Sequence, residues 1–115
     1  MALPDLESAM QLILNLSGDG LEHALLEAVE TVARNFQTTV AERAQLLPSG
    51  RDRVIYSRVA WAKTHLQKAG LLEAKGRGRF QISERGRAVI ESHPPRIDLQ
   101  FLKQFPEYLA FQYPA

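Results

Sequence analysis

Between Leu46 and Leu72 the apolar positions fall into one helical stripe: Ile55, Val59, Ala62, Leu66 and Ala69 recur at spacings of four, three, four and three. Such a stripe has to face a core. The opposite side of the same helix carries Arg53, Ser57, Ala60, Thr64 and Lys68, with Trp61 and Gln67 on its shoulders and no acidic residue. Gly70, just past the last periodic position, supplies the left-handed conformation that commonly ends a helix. The start is open between two caps: Asp52, or Ser57 if Val54 to Tyr56 runs extended.

Upstream, Leu6, Met10, Ile13 and Leu14 share a face, and Pro4 and Gly18 bracket a helix over 4–17. Gly18-Asp19-Gly20 is a turn, after which Leu21-Glu22 can make a short extended contact with a later strand. Leu25, Leu26, Val29, Val32, Ala33 and Phe36 predict a second amphipathic helix over 23–36. Glu22, just before it, and Glu27 and Glu30 within it have no basic partner of their own and read as a solvated face, which keeps this helix from lying flat on a polyanion. Thr39 and Glu42 form a capping-box pattern that opens a short helix, stopped by Pro48 and the turn Pro48-Ser49-Gly50.

Downstream, Leu71–Ala74 and Arg79–Ser83 are strand-length runs joined by Lys75-Gly76-Arg77-Gly78, a connection whose glycines fit a hairpin tip. Phe80 and Ile82 alternate, so one face of the hairpin packs inward. Ser83 caps a helix to Ser92, ended by His93-Pro94-Pro95. The segment from Ile97 to Ala115 is too apolar for a solvated linker: either it docks on the domain or it covers a partner surface. Asp98 there can cap a helix running to Phe105, before Pro106. The predicted fold is mainly α with a small β-hairpin, in the element order of a winged helix-turn-helix: residues 1–96 form the domain and 97–115 an apolar extension.

Composition narrows the function classes. With 115 residues the chain forms one domain with one core, and the absence of cysteine rules out disulfides and thiolate metal sites and fits a reducing, cytoplasmic setting. No apolar run reaches the ~20 residues of a membrane span and no signal peptide is present, so a membrane partner is not expected. The net charge of +1 hides a strong division. Residues 1–50 hold two basic and seven acidic side chains, a net of −5, whereas residues 51–96 hold eleven basic and four acidic, a net of +7. A polyanion-binding face backed by an acidic rear has this signature.

The candidate contacts with double-stranded DNA follow from these placements. Arg53, Ser57, Ala60 and Thr64 lie outward on the N-terminal half of the long helix and suit base edges. Arg51, Tyr56, Lys63 and Lys68 flank them and suit phosphate, a role open to Arg53 as well. Lys75, Arg77 and Arg79 on the hairpin tip can meet the backbone or the minor groove. Trp61, about 120° from the centre of the apolar stripe, is expected to pack under a neighbouring element such as the hairpin, the alternative being a ring stacked on a base. His23, His65 and His93 lack ligand spacing, no phosphate loop or catalytic triad is recognisable, and no cofactor is expected.

Several stretches together resemble the N-terminal domain of Mrr-type restriction proteins: Leu46-Leu47-Pro48-Ser49-Gly50-Arg51, Arg58-Val59-Ala60-Trp61-Ala62-Lys63, Leu66-Gln67-Lys68-Ala69-Gly70-Leu71-Leu72, and Phe80, Ile82 and Arg85-Gly86-Arg87. The resemblance implies a winged-helix DNA-binding domain joined to a C-terminal type IV restriction nuclease that cuts modified, typically methylated, foreign DNA. This sequence stops at Ala115, about where the nuclease would begin, so the chain itself is not expected to be an enzyme. Pro4-Asp5 and Glu73-Ala74-Lys75 formally match the nuclease's PD-(D/E)xK signature. That chemistry needs the acidic groups and the lysine to converge on a metal at a sheet edge, whereas Asp5 opens a helix and Glu73 sits in the hairpin.

Overall fold

The apolar stripes of the first helix and the longest helix face each other at the centre of the structure, a computed structural model that describes residues 3–113. The final residues of the apolar tail, Pro114 and Ala115, lie outside the described residues. Helix α1 is Leu6–Ser17. Its cap is Asp5, whose carboxylate accepts the Ser8 amide at 2.7 Å, so Pro4 stands outside the helix rather than in its first turn. Ala9, Met10, Ile13 and Leu14 are buried.

Strand β1 is only His23–Ala24, and helix α2 runs Leu25–Asn35. The second helix therefore begins two residues later than its periodicity predicts, and the extended contact expected at Leu21-Glu22 falls on His23 and Ala24, opposite Phe80 and Arg79. The physical reason is the buried ring of His23, which packs against Phe80 with centroids 6.2 Å apart and holds this segment in the sheet. Helix α3, Val40–Ala44, is opened by the Thr39–Glu42 capping box, whose two hydrogen bonds measure 3.0 and 2.8 Å.

The loop between α3 and the long helix folds back on itself: the Leu47 amide donates to the Asp52 carbonyl at 2.9 Å and the Val54 amide to the Gln45 carbonyl at 2.8 Å. Helix α4 then runs Val54–Lys68 with Arg53 in the cap position and no side-chain cap. Neither Asp52 nor Ser57 caps it, because the backbone closure of the loop sets the start at Val54. All five stripe residues are buried, four in α4 and Ala69 at its C-terminal cap.

Strands β2, Leu72–Ala74, and β3, Arg79–Ile82, complete a three-stranded antiparallel sheet in the order β1-β3-β2. Gly76 and Gly78 take φ of 115° and 67° at the tip, the conformations glycine adopts without strain. Helix α5, Glu84–Glu91, is capped by Ser83, which accepts the Gly86 amide at 2.9 Å. A mainly helical domain with this small sheet is winged-helix-like, with β2 and β3 as the wing.

Asp98 caps helix α6, Leu99–Leu102, with its carboxylate on the Phe101 amide at 2.8 Å. This helix stops short of the expected Phe105. The Lys103 and Phe105 amides turn back onto Gln100 and Leu102, and Pro106 opens a separate helix α7, Pro106–Gln112. Ile97, Leu102 and Tyr108 are buried in the same core cluster as α1 and α4. Arg85 ties the pieces together: its guanidinium donates to the Ala69 carbonyl at 2.8 Å, pairs with Glu107 at 3.0 Å and lies 4.9 Å from the centre of the Phe105 ring.

Candidate nucleic-acid interface

With one side of α4 buried, its opposite side is the part of the helix open to a ligand. Asp52, Tyr56, Ser57, Ala60, Trp61 and Thr64 line a shallow groove of about 290 Å³ along it. Its lining combines the rings of Tyr56 and Trp61 with the small residues Ser57, Ala60 and Thr64: residues four apart are neighbours on a helix, so Ala60 follows Tyr56 and Trp61 follows Ser57 along the surface. Trp61 does not pack under the wing as expected: it is 55 % exposed and its nearest aromatic neighbour is His65, with centroids 6.2 Å apart. Asp52 also stands in the groove, so this side of α4 is not free of acidic groups.

The candidate cations divide by what else they do. Among the described residues, the side chains of Arg51, Arg53, Lys63 and Arg77 make no hydrogen bond or ion pair, and neither do those of Tyr56 and Ser57. These groups can meet phosphate or base without giving up an internal partner. Thr64 already donates its hydroxyl to the Ala60 carbonyl at 3.0 Å, which leaves its oxygen lone pairs as acceptors. Lys68 lies 5.6 Å from the centre of the Phe111 ring of α7. Lys75 pairs with Glu73 at 3.5 Å, and Arg79 pairs with Glu22.

Three basic residues of the same half serve the fold instead. Arg58 donates to the Pro4 carbonyl at 3.0 Å, Arg96 pairs with Glu7 and Asp98, and Arg85 makes the bridge described above. The supposedly solvated glutamates are all engaged: Glu22 with Arg79, Glu27 with His23 at 2.9 Å, and Glu30 with Arg34 and Arg43. His23, buried at the foot of the wing, sits between Asp19 at 2.8 Å and Glu27. Burial pulls its pKa down, but the two carboxylates outweigh burial and hold it above its ordinary 6.5. Its spacing of four from both acids was a signal in the sequence.

At the other end of α4, His65 Nδ1 is 2.8 Å from the Tyr108 hydroxyl of α7, and burial lowers its pKa. The tail thus lies over the C-terminal end of α4 and leaves its N-terminal half open. Of the formal nuclease match, Asp5 is engaged as the cap of α1, and Glu73 and Lys75 pair with each other at the wing.

A mainly helical, winged-helix-like domain with an open, cation-flanked long helix is the class these features define. A family model for the Mrr N-terminal domain matches residues 7–92, and the chain belongs to that family, which associates it with Mrr-like restriction systems. The match takes in α1 to α5 and ends before α6 and α7. No curated protein and no solved structure matches the chain. No helix among the described residues is long and apolar enough to cross a membrane.

Proposed function

We propose that the chain is the DNA-binding module of an Mrr-like restriction system directed at modified DNA. The outward face of α4 enters the major groove, with Arg53, Ser57, Ala60 and Thr64 toward base edges and Arg51, Tyr56, Lys63 and Lys68 toward phosphate. The wing residues Lys75, Arg77 and Arg79 meet the adjacent backbone or minor groove. The observation that carries this reading is the set of uncommitted cations, Arg51, Arg53 and Lys63, around an exposed groove on the reader. Catalysis belongs to a separate nuclease domain. If about four to six phosphates are engaged, log affinity for duplex falls with log salt at a slope of roughly −4 to −5. An affinity independent of salt, or no duplex binding at low salt, rejects the reading. Matched duplexes with unmodified, 5-methylcytosine and N6-methyladenine bases test the preference for modification. One methyl in contact contributes at most ~1 kcal/mol, so a modest preference is expected.

A second reading, homodimerisation through the tail, draws on the exposed side of α7, where Leu109 and Tyr113 stand one turn apart and Tyr113 is 66 % exposed. Removing the tail is a poor test, since it also removes the buried Ile97, Leu102 and Tyr108. Sedimentation of Leu109→Asp against the unaltered chain is cleaner: a dimer lost in the variant supports this reading, and equal monomer mass for both rejects it.

A further inference from the structure

We infer that Asp52 selects the base it faces by accepting a hydrogen bond from an exocyclic amino group in the major groove; this rests on the DNA-binding reading above. Asp52 was a candidate helix cap, but the cap position of α4 is Arg53 and no side chain caps the helix. Its backbone carbonyl closes the loop by accepting the Leu47 amide, while its carboxylate has no partner among the described residues. Asp52, an exposed residue, lines the groove on α4 together with Tyr56 and Ser57 and stands between Arg51 and Arg53 in sequence.

An unpaired carboxylate on a face that meets a polyanion repels phosphate, so it is tolerated there when it finds a donor. The duplex offers few. In the major groove guanine presents N7 and O6 and thymine O4, all acceptors, whereas cytosine presents its N4 amino group and adenine its N6 amino group. A carboxylate accepts only, so it favours cytosine or adenine and opposes guanine or thymine on the strand it touches. Each base pair carries one such amino group. Asp52 therefore distinguishes the strand that bears it, and the flanking arginines hold the phosphates that set its register.

Selection from a duplex library randomised at every position tests this with the unaltered chain, Asp52→Ala and Asp52→Asn, each first shown to be folded by its melting transition. The expected result is one position enriched about fivefold to tenfold in cytosine or adenine by the unaltered chain. That enrichment disappears in Asp52→Ala and weakens in Asp52→Asn, whose amide both accepts and donates, while the preferences elsewhere and the salt slope stay the same. If Asp52→Ala tightens binding to all sequences equally and keeps the same preferences, the carboxylate is only a general repellent and the inference falls. If the unaltered chain binds duplex with no such position, the inference falls while the DNA-binding reading stands. If it binds no duplex at all, the reading itself fails and takes this with it.

Discussion

Arg79, the first residue of β3, donates its Nε–H to Glu22, which precedes β1, so the wing cation nearest the sheet is held by an acid contributed 57 positions earlier in the chain. Both side chains are about half exposed, and a pair of that kind contributes roughly 0.2–1 kcal/mol. Arg79 can therefore exchange Glu22 for a phosphate at modest cost. Glu22→Gln is expected to raise duplex affinity by up to about fivefold by removing the competitor. Fluorescence anisotropy at fixed salt measures it, and an unchanged or weaker affinity shows that Arg79 does not reach DNA.

Arg77 at the wing tip has no such competitor among the described residues. Arg77→Ala is expected to weaken binding to all duplexes alike and to reduce the salt slope by about one. A loss confined to particular sequences would instead place Arg77 in a groove reading bases.

Two histidines bend the pH dependence of stability in opposite directions. His23 has a folded pKa above 6.5, so it binds its proton more tightly in the native state. Its contribution is full below pH 6.5 and is lost as pH rises from there through the folded value. His65 has a folded pKa below 6.5, so the unfolded chain takes up its proton first, and stability falls as pH drops from 6.5 toward the folded value. Melting temperature is expected to peak near pH 6.5. His23→Gln should flatten the alkaline side and His65→Gln the mildly acidic side, above the range where carboxylates titrate. A shift of the whole curve without a change in either slope counts against these assignments.

Gly86 is required by packing, not by backbone conformation. A Cβ there would run into the Leu71 carbonyl and come within 2.7 Å of Ile82 Cγ1. Gly86→Ala therefore pushes α5 off the sheet, at a cost of about 1–3 kcal/mol or more in chemical denaturation. Gly76→Ala is the informative control, since an added Cβ meets nothing within 4 Å and only the φ of 115° is strained.

Tyr108→Phe removes the hydroxyl that meets His65 Nδ1 and leaves a partly buried ring nitrogen without its partner. A loss of about 1–3 kcal/mol is expected in the same assay. No loss would mean that this hydrogen bond contributes nothing to the docking of α7 onto α4.

The long helix was legible because fifteen residues give its 3.6 period room to repeat, and the short helices because Thr39, Ser83 and Asp98 announce their caps. The wing was legible from its glycines. Strand β1 was displaced because two residues are too few to show alternation, and what places them is Phe80, more than fifty positions away. The groove is not legible in the sequence for a related reason. A helical wheel covers the residues inside α4, whereas Asp52 reaches the same surface from the loop, and the exposure of Trp61 depends on where the wing and tail lie. The partners of Glu22 and Arg85 are likewise set by tertiary proximity, which no local pattern records.

Amide chemical-shift mapping of the full chain, titrated with duplex at low salt, tests the placement of the interface most directly. The predicted result is a contiguous set of shifts at Asp52, Ser57, Ala60 and Thr64 along α4 and at Arg77 on the wing, with the outer face of α2 and the exposed side of α7 unchanged. Shifts centred on Leu109 and Tyr113 or on α2, with the groove of α4 silent, would contradict it.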